Sequence, residues 1–187
     1  MQDGFFFGYG SLVNMATHSH APAFPARITG WRRAWRQVAG QAGATLSAKV
    51  DEGSAIDGLI AHVAAEAWPQ LDAREINYER QLVTPSVVHE GPTDAGIQIY
   101  HVTLPDAEGT TAPILLSYLD VVVQGYFRVF GPEGVADFFA TTDGWDTPIL
   151  DDRAEPLYPR HQRLEKSERA LVDSSLERLS AQVQKAH

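Results

Sequence analysis

The chain has 187 residues, with 15 Lys and Arg against 24 Asp and Glu, a formal charge of −9 with histidine neutral, and no cysteine. The missing cysteines exclude a disulfide framework, a thiolate-held zinc and a cysteine nucleophile. The acidic balance argues against non-specific binding to nucleic acid or to an anionic membrane. With 44% hydrophobic residues, this length suits a single domain over 1–187, with a C-terminal helical extension over about 131–187.

Phe5 to Tyr9 are aromatic or small throughout, as in a fully buried strand. That strand would deliver the uncharged Gly10-Ser11-Leu12 turn, whose backbone N–H groups can face an anionic ligand. Val13 to Ala26, carrying His18, His20, Pro22 and Pro25, reads as a long surface loop. Alternation from Arg27 to Val38 predicts a strand with Thr29, Trp31, Arg33, Trp35 and Gln37 on one face. Gly40 and Gly43 mark a turn. Strands over 44–50 and 55–63 then flank a turn at Asp51-Glu52-Gly53-Ser54.

Trp68 to Asn77 reads as a helix with Pro69 in its first turn, where the missing N–H costs little. Strands are expected over 79–89 and 96–104, separated by a turn over 90–94. In the apolar segment Pro113 to Phe130, Val121-Val122-Val123 favours strand, whereas length and the leading proline favour a buried helix, which is adopted. Gly131-Pro132-Glu133-Gly134 ends it, and Val135 to Thr141 forms a second short helix. Residues 143–159 are irregular, and 164–184 form an amphipathic helix with Leu164, Leu171 and Leu179 towards the core. This order predicts an α+β fold: a mixed, mostly antiparallel sheet curled into a small barrel with flanking helices. No apolar run approaches the roughly 18 residues of a membrane span. No signal peptide is expected, and a soluble cytoplasmic protein is the working expectation.

Several motifs invite chemistry and fall short of it. Gly8-Tyr9-Gly10 lacks the third glycine of a dinucleotide loop, since Val13 stands there. Ser11 lacks the glycine frame of a nucleophile elbow. His18 and His20 have no third metal ligand at a recognisable spacing. Asp143, Asp146, Asp151 and Asp152 lack the spacing of a calcium loop. Trp31 to Arg36 reads as a packed tryptophan face with arginines at the sheet rim.

Glu75 differs. It sits near a helix C-terminus, where the macrodipole disfavours ionisation, and Asp72 one turn back adds repulsion that Arg74 and Arg80 offset in part. A carboxylate so raised accepts protons near neutral pH. The alternative is a solvated glutamate at a helix end.

FGYGSL at 7–12, taken with LDAREINYER at 71–80, resembles the γ-glutamylcyclotransferase superfamily. Its glycine-rich loop corresponds to Tyr9-Gly10-Ser11-Leu12, and its glutamate after a Leu-Asp pair, followed by tyrosine, to Leu71-Asp72, Glu75 and Tyr78. Ser117-Tyr118 is similar to a third shared feature, and residues 26–33 resemble the second strand of the ChaC-like branch. Asn14 and Ile76 depart from that branch, which carries an aromatic and a small residue there. The resemblance implies a γ-glutamylcyclotransferase-like fold and cyclisation of a γ-glutamyl peptide or amide, glutathione among them, to 5-oxoproline and a released amine. It implies Glu75 as general acid/base and Tyr9, Gly10, Ser11, Leu12 and Tyr118 as substrate-binding residues. It implies no cofactor, no metal, and a small-molecule γ-glutamyl partner rather than nucleic acid or membrane; it leaves the oligomeric state open. A non-catalytic small-molecule binding or regulatory protein on the same fold is the alternative, and amide cleavage on a non-glutamyl substrate a third reading.

Overall fold

The computed structural model describes residues 2–185 apart from 93, 95, 108 and 110; Thr93 of the expected 90–94 turn therefore lies outside the described residues. The strands are β1 (Gly4–Gly8), β2 (Ala23–Arg36), β3 (Thr45–Val63), β4 (Glu79–Leu82), β5 (Val87–His89), β6 (Ile97–His101), β7 (Ile114–Leu115), β8 (Thr142–Asp143), β9 (Ile149–Asp151) and β10 (Val183–Lys185). The helices are α1 (Trp68–Arg74), α2 (Leu116–Ala140) and α3 (Lys166–Arg178). No helix among the described residues is long and apolar enough to cross a membrane.

The main sheet runs β4-β6-β1-β3-β2-β5, with β8 added beside β2. The β1–β6 and β2–β8 pairs are parallel and the others antiparallel. The expected α+β class holds, but the sheet is not a closed barrel. β4 and β5 stand at opposite ends of the strand order. In a flat sheet five strand spacings would separate them by roughly 24 Å. The five-residue step from Leu82 to Val87 spans at most about 18 Å, so the sheet curls strongly. Pro85, which has no N–H for a ladder, sits in a tight turn over Thr84–Ser86 and spans the gap instead. Glu79 to His89 is therefore two edge strands rather than one.

β2 and β3 carry the core, and a break in their ladder decides which side chains enter it. Thr29 pairs with Ala55, yet Trp31 pairs with Val50, so residues 51–54 of β3 stand opposite Gly30 alone. Gly30 has a φ of 78°, a conformation that L side chains resist. The expected turn at 51–54 is thus an outlooped irregularity inside one long strand, closed by a 2.7 Å hydrogen bond from Ser54 Oγ to Asp51 Oδ2. An odd residue in one strand inverts the in–out alternation. Ala26 and Ile28 are buried before the break, and Trp31, Arg33 and Trp35 after it.

Arg33 consequently lies in the core and not at a sheet rim. It is fully buried, and it donates to Thr142 Oγ1 (3.1 Å), the Asp57 carbonyl (3.0 Å) and the Tyr126 hydroxyl (2.9 Å). Its guanidinium also lies about 5 Å from the ring centroids of Tyr126 and Phe138.

Pro113 to Phe130 is helical as expected from Leu116 onward, with the short β7 just before it, and α2 bends at Gly131. α3 is shorter than the expected 164–184 helix: Leu164 and Leu171 pack against the core as expected, beside buried Val172 and Leu176, whereas Leu179 lies past the last helical residue and is 38% exposed. A polar contact also seats the helix. Buried Glu168 accepts from Gln124 Nε2 at 2.7 Å and Arg128 Nε at 3.0 Å, which fixes the rotation of α3 against α2.

The segment expected to be a loop over 13–26 is pinned to α2. Asn14 is buried, and its side-chain amide donates to the Val121 carbonyl and to Gln124 Oε1, both at 2.9 Å. Gly125 permits this approach, since a β-carbon there would lie 2.8 Å from the Asn14 backbone nitrogen. Gly125→Ala raises helix propensity by about 1 kcal/mol, but overpacking of this kind costs roughly 1–3 kcal/mol. Urea unfolding is expected to report a less stable protein, against the direction that propensity alone dictates.

Candidate active site

A cavity of about 370 Å³ opens beside the end of β1, within the range of ligand pockets. Tyr9, Gly10, Ser11, Leu12, Glu75 and Tyr118 all line it. Three separate stretches of sequence therefore converge on one hollow.

The first wall is the turn after β1. Ser11–Val13 form a single 3-10 turn, closed by Val13 N–H donating to the Gly10 carbonyl at 3.0 Å. The amides that open such a turn have no partner within it. Among the described residues, none of the Gly10, Ser11 and Leu12 N–H groups donates to a backbone carbonyl. The Tyr9 hydroxyl is committed elsewhere, donating to the Tyr100 carbonyl at 2.6 Å.

The second wall is the end of α1. Trp68 and Leu71 are buried in a cluster with Phe6, Ala61, Val63 and Tyr100, which seats the helix. Glu75 caps it, its N–H donating to the Leu71 carbonyl at 3.0 Å. Arg74 Nε stands 3.0 Å from Glu75 Oε1, with the two side chains only 12% and 14% exposed. The Nε–H makes no aligned hydrogen bond, so this is a charge contact. The other nitrogens of Arg74 reach the Thr17 carbonyl (2.9 Å) and Thr17 Oγ1 (3.2 Å), with Ser11 Oγ at 3.4 Å. Arg74 thereby joins the end of α1 to the first wall.

Burial pushes the Glu75 carboxyl above its ordinary range, and the positive charges of Arg74 and Arg160 offset this only in part. Asp72 is not the cause that the sequence suggested. It accepts from the Tyr100 hydroxyl at 2.6 Å and stands 3.5 Å from Arg80.

The third wall is Tyr118, near the start of α2. Its hydroxyl stands over Gly10, where a β-carbon would approach it to 3.1 Å, and its ring tilts against Tyr158 with centroids 4.8 Å apart. Tyr78 also lines the cavity and donates to the Leu46 carbonyl at 2.9 Å.

Sequence reasoning missed a fourth wall, Leu157 to Arg160. Asp152 fixes it: its carboxylate accepts from Ser117 N–H at the start of α2 (2.7 Å) and from Leu157 N–H (2.9 Å). The motifs set aside above have structural employment. Asp143 pairs with Arg32 (2.7 Å) and Lys49 (2.8 Å), and His18 lies 3.0 Å from the Leu12 carbonyl. Among the described residues, no group of three or more His, Asp or Glu is arranged to hold a metal ion.

Folding raises the pKa of Glu75, so its favourable contribution is full below the unfolded value of about 4.3 and is lost as pH rises through the folded value. Glu75→Gln removes the cost of a buried anion. Thermal unfolding is expected to give the variant a midpoint at or above that of the wild type near about pH 8, with the gap closing near about pH 4.

A comparison with curated proteins finds no match. Among solved structures, the chain resembles YkqA from Bacillus subtilis with a TM-score of 0.60 at 18% identity, over 77% of this chain and 57% of that one. It resembles an uncharacterized protein from Homo sapiens with a TM-score of 0.61 at 16% identity, over 92% of this chain and 99% of that one. A structure described as a γ-glutamyl cyclotransferase gives 0.60 at 16% identity, again over 92% and 99%. The chain thus spans little more than half the length of YkqA and nearly all of the other two; at these identities the likeness is one of fold. A family model described as gamma-glutamyl cyclotransferase, AIG2-like, matches residues 6–117. That segment runs from β1 to the start of α2 and carries both the Gly10 turn and Glu75. It covers more than half of the sequence, and the chain belongs to the γ-glutamyl cyclotransferase, AIG2-like family.

Proposed function

We propose that the protein converts a γ-glutamyl peptide or amide, glutathione among the candidates, to 5-oxoproline and a released amine. The observation that carries this reading is that Glu75 is the one carboxylate among the described residues lining the cavity, and it shares that cavity with the unbonded amides of the Gly10 turn.

A γ-glutamyl compound contains its own nucleophile, the α-amine, and its own electrophile, the γ-carbonyl. The protein's task is to fold the substrate into a near-attack shape and to move a proton. In this reading the Gly10, Ser11 and Leu12 amides grip an anionic oxygen, either the α-carboxylate or the oxyanion that develops on the γ-carbonyl. Tyr9 shapes the floor, and Tyr118 and the Ser11 hydroxyl are further donors. Glu75 takes a proton from the α-amine as the new C–N bond forms. It then delivers that proton to the leaving nitrogen as the old C–N bond breaks. A carboxylate raised by burial is better matched to this work than a solvated one. Ser11 binds and does not attack.

The test is a panel of γ-glutamyl amino acids, γ-glutamylamines and glutathione with 5-oxoproline as the readout. Glu75→Gln is expected to keep ligand binding and lose turnover by about 100-fold or more; full activity in that variant would remove Glu75 from the mechanism. Ligand binding by the wild-type protein with no 5-oxoproline from any member would favour the non-catalytic alternative. The acidic limb of the kcat/KM profile is expected above the ordinary carboxylate range, with the rate rising as pH climbs through the raised pKa of Glu75.

A further inference from the structure

One guanidinium reaches both halves of the site. Arg74 immediately precedes Glu75, and its side chain is only 12% exposed. Two of its nitrogens turn away from the carboxylate: Nη1 donates to the Thr17 carbonyl at 2.9 Å, and Nη2 to Thr17 Oγ1 at 3.2 Å, with Ser11 Oγ at 3.4 Å. Thr17 Oγ1 in turn donates to the Ser11 carbonyl at 3.0 Å, so Arg74 is anchored on the segment that carries the Gly10 turn. Nε alone faces Glu75, 3.0 Å from Oε1 and without an aligned hydrogen bond. A buried N–H in that condition is rare and calls for a cause.

A buried base sets contrary demands on its neighbours. Burial raises the Glu75 carboxyl, and Arg74 is the first of two cations that oppose it, Arg160 on the fourth wall being the second. With no cation, the carboxyl would hold its proton at neutral pH and could not accept another. With a bidentate guanidinium it would be a strongly paired anion and a poor base. A fork committed to Thr17, with Nε left 3.0 Å from Oε1, supplies attraction without that lock. The phenols around the carboxylate add no charge: burial raises Tyr9 after β1, Tyr78 after α1, Tyr100 on β6 and Tyr118 on α2. Tyr158, from the fourth wall, packs on Tyr118. Asp72 is engaged by Tyr100 and Arg80. On the far side of Arg74, burial holds His18 down at about 4 and lowers His20, so neither ring competes as a cation at neutral pH.

The inference rests on the cyclotransferase reading, in which Glu75 must begin as an anion and carry a proton midway. We propose that Arg74 is a positioning residue: it braces the Glu75 carboxylate at Oε1 and the Ser11 hydroxyl at Oγ, leaving Glu75 Oε2 and the Ser11 proton for the substrate. Among the described residues Ser11 Oγ donates to no acceptor, and Glu75 Oε2 accepts from no donor. One cation thereby sets the base against the oxygen grip.

A pH profile separates such a brace from a merely structural residue. Arg74→Met is expected to lose about tenfold more in kcat/KM near about pH 6 than near about pH 9, because removing the cation raises the Glu75 carboxyl further and moves the acidic limb to higher pH. Arg74→Lys, which keeps the charge and loses the fork, is expected to keep the limb in place and to lose about tenfold in kcat. Arg160→Met is expected to move the limb less than Arg74→Met does. A loss in Arg74→Met that is the same at every pH, or a limb that moves as far in Arg160→Met, would overturn the proposal. Should Arg74→Met not fold, Arg74→Gln, neutral but able to donate towards Thr17, carries the same expectation. If no γ-glutamyl compound yields 5-oxoproline, the cyclotransferase reading fails separately. Carboxyl 13C NMR titration of the wild type and Arg74→Met, with Glu75→Gln identifying the Glu75 resonance, then decides the point. A higher midpoint in Arg74→Met supports the brace at Oε1, and coincident midpoints overturn it.

Discussion

A charge that cannot reach water constrains this structure. The Arg33 guanidinium is fully buried, and burial pushes its pKa down while Tyr126, Asp137 and Asp57 pull it back. A guanidinium stays protonated all the same, so its N–H groups must find acceptors inside the protein. β2 supplies the arginine, β3 the Asp57 carbonyl, β8 the Thr142 hydroxyl and α2 the Tyr126 hydroxyl. Breaking such a set leaves an uncompensated charge in the interior, at a cost of about 3–5 kcal/mol. The network also reaches the site. The Tyr126 hydroxyl lies 2.9 Å from the Tyr9 carbonyl, one residue before Gly10. The start of the glycine turn is thereby tied to the centre of the core.

The remaining parts of the cavity are attached by polar contacts of the same kind. Asn14 clamps the turn to α2, Arg74 ties the turn to the end of α1, and Asp152 hangs the fourth wall from the start of α2. Around Glu75 two opposed effects compete. A cation 3.0 Å away favours the anion, and burial disfavours it; burial wins. The helix-dipole and Asp72 arguments anticipated the direction and not its cause. Those are through-sequence neighbours, whereas desolvation comes from chain segments far away in sequence.

Much of the local structure was legible because it depends on near neighbours. Phe5 to Phe7 have no polar side chain and form a buried strand; Pro69 marks the first turn of α1; the length of the apolar run from Pro113 outweighs its three valines. The misreadings have different origins. Gly30 inverts the alternation of β2, and neither the inversion nor the burial of Arg33 can be read from a period-two pattern that assumes an unbroken ladder. The curl of the sheet was anticipated, but closure depends on whether two edges meet, and among the described residues β4 and β5 do not pair. At the site, Glu75 and the Gly10 turn were found through the resemblance of short motifs. Tyr158 and Arg160 were not, because they sit in an irregular acidic stretch whose position depends on the side chain of Asp152.

The boundary of the family match gives the Asp152 tether a wider meaning. Residues 6–117 contain the turn and Glu75, while Leu157 to Arg160 lie beyond that boundary and bear on the same hollow. The stretch that carries Glu75 and the outer wall thus meet at Ser117, the last matched residue and the one that Asp152 grips. The hollow is therefore bounded from both sides of that boundary, and any shift of the Asp152 carboxylate would be felt at its rim.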